Sequence, residues 1–227
     1  EELSKNYRAL MPRARVAIIK SFDSEWSQSI HRQVEGLYYD SLLLDYYRPF
    51  WNMGIPVDFV TAEEDLNRYD LVLAPMLMMV SDEGKKNIET YAQAGGKVLF
   101  SFRSGIKDMY NNMLTETVPG VFADLAGVEV EDYDPLLEKT TATTGNGMAH
   151  MWCDIVKPVT AKVIGKYTSD FYAGEACMTV NQIGKGEVYY LGCDLDEKAM
   201  KMLAVYLGRK AGIDMDLYKV DGVEVVD

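Results

Sequence analysis

The side chains that could do chemistry lie in three short stretches. Ser101-Phe102-Arg103-Ser104-Gly105 follows an apolar run and offers two hydroxyls, a guanidinium and a glycine. Gly192-Cys193-Asp194-Leu195-Asp196-Glu197 offers a thiol and three carboxylates. His150 and Cys153 have the spacing of two ligands of a metal site. A hydroxyl or thiol nucleophile needs a base within hydrogen-bond reach. Ser101, Ser104 and Cys193 have no histidine beside them in sequence, and His31 and His150 are the chain's 2 histidines. Arg103-Ser104-Gly105 has no following Lys-Ser/Thr, so it reads as a structural turn and not as a phosphate cradle. Asp23-Ser24-Glu25-Trp26 is acidic where a flavin phosphate would need amides and neutral side chains. Zinc generally takes four ligands, mainly Cys and His. His31, Cys177 and Cys193 are far in sequence from the His150/Cys153 pair, so the thiols read as small buried hydrophobes. Asp194 and Glu197 read as a capping box for the last helix, which also accounts for Asp196. No catalytic, cofactor or metal site is expected.

The elements that would position these residues follow from hydrophobic periodicity. Strands are predicted at Arg15–Phe22, Pro56–Ala62, Asp70–Leu77 and Lys97–Phe102, with a polar loop holding Trp26 after the first. A long helix is predicted over Gln33–Asn52, ended by Gly54, and another begins at Ser81 and stops at Gly95-Gly96. Near-continuous apolar strands alternating with helices imply a parallel sheet covered on both faces. Further on, the pattern predicts a loop over 103–120, a short helix at Val121–Ala126 and a strand at Val128–Asp132. Glu138–Met148 reads as a polar surface excursion. Strands are expected at Trp152–Ile155 and Ala161–Tyr167, then a hairpin of Ala176–Ile183 and Glu187–Leu191 around Gly184-Lys185-Gly186. Asp196–Ala211 supplies the last helix. The expected fold is α/β: a doubly wound, mostly parallel sheet with helices on both faces and an antiparallel hairpin near the C-terminal end.

Composition narrows the classes. The 227 residues are 48% hydrophobic and 11% aromatic, as in a packed globule. A net charge of −12 repels phosphate backbones, so nucleic acid is not an expected partner. No apolar run approaches the roughly 20 residues of a membrane span. Three cysteines, an odd number, fit a reducing compartment, and a cytoplasmic location is expected. Trp26, Tyr38, Tyr39, Tyr46, Tyr47, Trp51 and Trp152 form a rich aromatic set. Apolar residues on more than one side of Gln33–Asn52 place that helix deep in a core or against another protein. Trp26, Tyr38, Tyr39, Tyr47 and Trp152 are the candidate oligomer or sugar contacts.

Five ordered blocks then carry a family resemblance: GIPVDFV (54–60), DLVLAPMLMMVSDE (70–83), YAQAGGKVLFSFRSGIKD (91–108), PGVFADLAGVEVEDYDPL (119–136) and FYAGEACMTVNQIGKGEVYYLG (171–192). Together they resemble the middle domain of family 42 glycoside hydrolases, which are β-galactosidases. The resemblance implies a non-catalytic homotrimerisation domain over 14–213, with a flavodoxin-like fold similar to class I glutamine amidotransferases. It implies a preceding TIM barrel that hydrolyses the galactoside substrate with two carboxylates of its own. Residues 1–13 would be the linker from that barrel, and 214–227 the start of a following β-domain. The resemblance also locates an amidotransferase's cysteine at the elbow Ser101-Phe102-Arg103-Ser104 and its histidine at Gly192–Leu195. Neither residue type stands at its place. A sugar-binding module using Trp26 or Trp152, and a stand-alone amidotransferase-like hydrolase, are the alternative readings.

Overall fold

The computed structural model describes residues 13–137, 142–145 and 147–215. Most of the expected linker over 1–13 and most of the expected 214–227 segment lie outside these residues. Strands β1 (Val16–Ile19), β2 (Val57–Val60), β3 (Leu71–Ala74) and β4 (Lys97–Ser101) pair in parallel in the order β2-β1-β3-β4. β10 (Gly186–Leu191) extends this parallel set alongside β4. Every residue of β1 and β3 is buried, which explains their unbroken apolar sequence.

β5 (Val128–Pro135), β6 (Ala142–Thr144), β7 (Gly147–Pro158), β8 (Lys162–Lys166), β9 (Ala176–Ile183) and β11 (Cys193–Leu195) form the other half of one eleven-stranded sheet. All their pairings are antiparallel, as is the predicted β9–β10 hairpin. The fold is therefore mixed α/β, not a mostly parallel sheet. Links such as those joining β6 to β7 and β9 to β10 are too short for the crossover that parallel neighbours require.

Among the described residues five α-helices flank the sheet: α1 (Phe22–Ile30), α2 (Tyr39–Asn52), α3 (Asp82–Ala94), α4 (Ala123–Ala126) and α5 (Glu197–Lys210). Leu42, Tyr46 and Phe50 of α2 pack with Leu203 and Leu207 of α5, against Val16 and Ile18 of β1. Ile88 and Tyr91 of α3 pack with Leu125 of α4, against Ala17 and Ile19. The alternation along β1 thus feeds two cores, one on each face.

Four local expectations are corrected. Residues 22–30 are a helix and not a loop, started by Ser21, whose side chain accepts from the Ser24 N–H. The long helix begins at Tyr39 and not at Gln33, because Gly36 takes a left-handed φ of 89° that breaks the turn. Part of the 138–148 excursion belongs to the sheet as β6 and the start of β7. Asp194 lies in β11, so the last helix is capped by Asp196, which accepts the Ala199 N–H at 2.7 Å.

Candidate functional site at the end of the fourth strand

β4 ends at Ser101, and the chain turns sharply through Phe102–Gly105. Arg103 sits there with a left-handed φ of 59°. A non-glycine side chain in that region costs roughly 1–2 kcal/mol, so surrounding contacts must hold it. The loop after β3 supplies several. The Met76 N–H donates to Ser101 Oγ at 2.7 Å, and the Gly105 N–H donates to the Leu77 carbonyl at 2.8 Å. Ser104 Oγ donates to the Ser101 carbonyl at 2.7 Å. Both candidate serine hydroxyls are thus fully buried and engaged with backbone. Gly105 has no room for a side chain, since a Cβ would stand 2.4 Å from the Pro119 carbonyl oxygen.

Arg103 points inward. Its guanidinium lies 5.2 Å from the centre of the Trp152 ring. Tyr133 stacks on that indole at 5.0 Å and Phe102 at 6.1 Å. The Trp152 Nε1–H donates to Asp154 Oδ1 at 2.7 Å, and the Tyr190 hydroxyl donates to Asp154 Oδ2 at 2.7 Å. The Tyr167 hydroxyl donates to the Asp154 carbonyl at 3.0 Å. Burial pushes the Asp154 carboxyl up to about 7, although Trp152, Tyr190 and the Arg103 charge pull the other way. Burial also lowers the Arg103 pKa, and its Nε and Nη1 make no hydrogen bond. The strand end where many α/β domains bind ligands is filled here by an arginine, an indole and a buried carboxyl.

The turn after β10 brings together cysteines that are distant in sequence. Cys193 shares a hydrogen bond with Cys177, and this, reinforced by burial, raises its pKa. Burial pushes Cys153 up to about 12. Such thiols are poor nucleophiles, because the thiolate is the reactive form. Among the described residues no group of three or more His, Cys, Asp or Glu side chains is placed to hold a metal. Asp194 pairs across the sheet with His150, and both line a groove of about 620 Å³ shared with Asp45, Arg48, Glu197 and Lys201. Burial, helped by the charge of Asp45, pushes Asp194 up to about 7.

The aromatic candidates separate into surface and core. Trp26 and Tyr38 are exposed. Tyr47 is half-buried and packs its ring 5.7 Å from Phe59. Tyr39 and Trp152 are core residues and offer no surface, with the Tyr39 hydroxyl accepting the Ser21 N–H at 3.0 Å. The Asp154–Tyr190–Tyr167 network was not anticipated. Its one signal in the sequence is an acid set between apolar residues in a predicted strand.

Fold and site together define an α/β domain built on the parallel strands common to many enzymes, with arginine at the strand-end turn. The chain belongs to the β-galactosidase trimerisation domain family, whose match spans residues 14–214. It is 39% identical over 181 residues to β-galactosidase BgaA of Clostridium cellulovorans, covering 78% of this chain and 28% of that protein. It is 31% identical over 207 residues to β-galactosidase LacZ of Lactobacillus acidophilus, covering 89% and 31%. The crystal structure of a β-galactosidase from Bacillus circulans sp. alkalophilus superimposes with a TM-score of 0.90 at 26% identity, over 94% of this chain and 33% of that one. The chain thus spans about a third or less of these relatives' length.

Proposed function

We propose that this chain is a non-catalytic self-association unit that holds three copies of a β-galactosidase in fixed relation. The observation that carries the reading is the family match over 14–214, nearly the whole chain. The filled turn after β4 supports it, because the hydroxyls of Ser101 and Ser104 are spent on backbone contacts. Hydrolysis of terminal β-galactosides would then belong to a TIM barrel carrying its own two carboxylates, one as acid/base and one as nucleophile. Residues 1–13 would link to it, and 214–227 would lead into a further β-domain. The order β2-β1-β3-β4-β10 fits the flavodoxin-like, amidotransferase-like arrangement proposed for the parallel half. A cytoplasmic site of action accords with three free, buried thiols, and no helix among the described residues is long and apolar enough to cross a membrane. A sugar-binding role has exposed Trp26 in its favour and has lost Trp152 to the core. Light scattering of the purified chain tests the main reading. A mass of three chains is expected, and a single-chain mass at high protein concentration contradicts it.

A further inference from the structure

Helix α1 is inside out. Its buried face is polar, made of Ser24, Ser27 and Gln28. Its apolar residues Phe22, Trp26 and Ile30, spaced four apart on one stripe, face solvent. An ordinary surface helix does the reverse. The inner face is tied down by hydrogen bonds instead of apolar packing. Ser24 Oγ accepts the Met79 N–H at 3.1 Å, and the Gln28 amide donates to the Leu37 carbonyl. Ser27 Oγ donates to Asn111 Oδ1 at 2.7 Å and accepts from the buried Lys107 ammonium at 2.9 Å. Lys107 also donates to Asn111 at 2.7 Å. These bonds fix the 107–113 loop beside the helix, and that loop exposes Met109, Tyr110 and Met113.

The six apolar side chains range in exposure from 46% at Met109 to 88% at Tyr110. The exposures of these six residues sum to on the order of 800 Å², against roughly 300–600 Å² for the largest patch on a typical monomer. That is close to the ~800 Å² that one partner buries in a stable protein interface. A patch held rigid before binding also loses little entropy on docking. We propose that the outer face of α1 and the 107–113 loop is the surface through which this chain docks onto a second copy of itself. The occupant follows from the trimerisation reading, on which this inference rests. A closed ring of three needs a head-to-tail contact, so this patch would meet an unlike patch on the next copy.

Sedimentation equilibrium on the whole chain, compared with Trp26→Glu and Tyr110→Glu, tests the surface. Both positions are exposed and lie on different elements, and far-ultraviolet circular dichroism confirms that each variant folds. The wild type is expected at three times the 25.6 kDa chain mass. Each variant is expected to dissociate at concentrations at least ~30-fold higher than the wild type, as loss of an interface hot spot requires. Two folded variants that associate as tightly as the wild type overturn the surface and leave the trimerisation reading standing. A wild-type chain that stays a monomer up to about 1 mM overturns both.

Discussion

The two halves of the sheet are built on different rules. In the parallel half, β1 and β3 consist of buried apolar residues between two apolar layers, and the buried polar side chains, such as Ser101, Arg103 and Ser104, gather at the strand ends. The antiparallel half buries a carboxyl in its middle: Asp154 of β7 takes hydrogen bonds from Trp152 on its own strand and from Tyr190 of β10. The individuality of this domain lies in the antiparallel half. The parallel half is a general platform. The antiparallel half sends Trp152, Tyr133 and Asp154 across to the end of β4, onto the turn where a catalytic group would otherwise find space.

If that comparison holds, damage to the antiparallel network should rival damage to the apolar platform. Trp152→Ala should be the most destabilising single change, by about 3–5 kcal/mol in urea unfolding, because it empties a fully buried site and strips Arg103 of its ring. A loss well under that of Leu73→Ala in β3 would break the comparison. Asp154→Ala should cost about 2–3 kcal/mol by leaving the Trp152 and Tyr190 donors unpaired, and a near-neutral result would show the network is ornamental to stability.

A gentler probe uses pH. Asp194 has a folded pKa near 7 against about 3.9 in an unfolded chain, so the folded state holds its proton more tightly. Its burial therefore costs nothing below about pH 4, costs progressively more as pH rises to about 7, and is constant above. Asp194→Asn should raise the Tm at pH 8, and the gain should vanish toward pH 4. A gain independent of pH would contradict the assigned ionisation. The smallest effect is expected in the parallel half at the cap of α3. Ser81→Ala removes an acceptor for the Gly84 N–H at 3.0 Å and should cost about 1 kcal/mol.

Legibility in the sequence follows the same division. β1 and β3 are readable because full burial leaves an unbroken apolar run, β4 because its centre Val98-Leu99-Phe100 does the same, and the β9–β10 hairpin because Gly184 takes a φ of 57° at its turn. α1 reads as a loop in the sequence for a physical reason. Its inward residues are serines and a glutamine, so hydropathy gives it the pattern of a solvated segment. Asp194 reads as a helix cap in the sequence because three acids so close together fit a helix start equally well at two registers. The turn residues 101–105 were legible as lacking a cysteine. Their filling by Trp152 was not, since it depends on a contact across 49 positions that no local pattern encodes.

Covalent labelling of the folded chain reads whether the strand-end turn holds a reactive group. Intact-mass measurement after exposure to a fluorophosphonate and to iodoacetamide should show no adduct until denaturant is added, when the three buried thiols become reactive to iodoacetamide. Rapid stoichiometric modification of Ser101, Ser104 or Cys193 in the native chain would reveal an activated nucleophile and contradict the account.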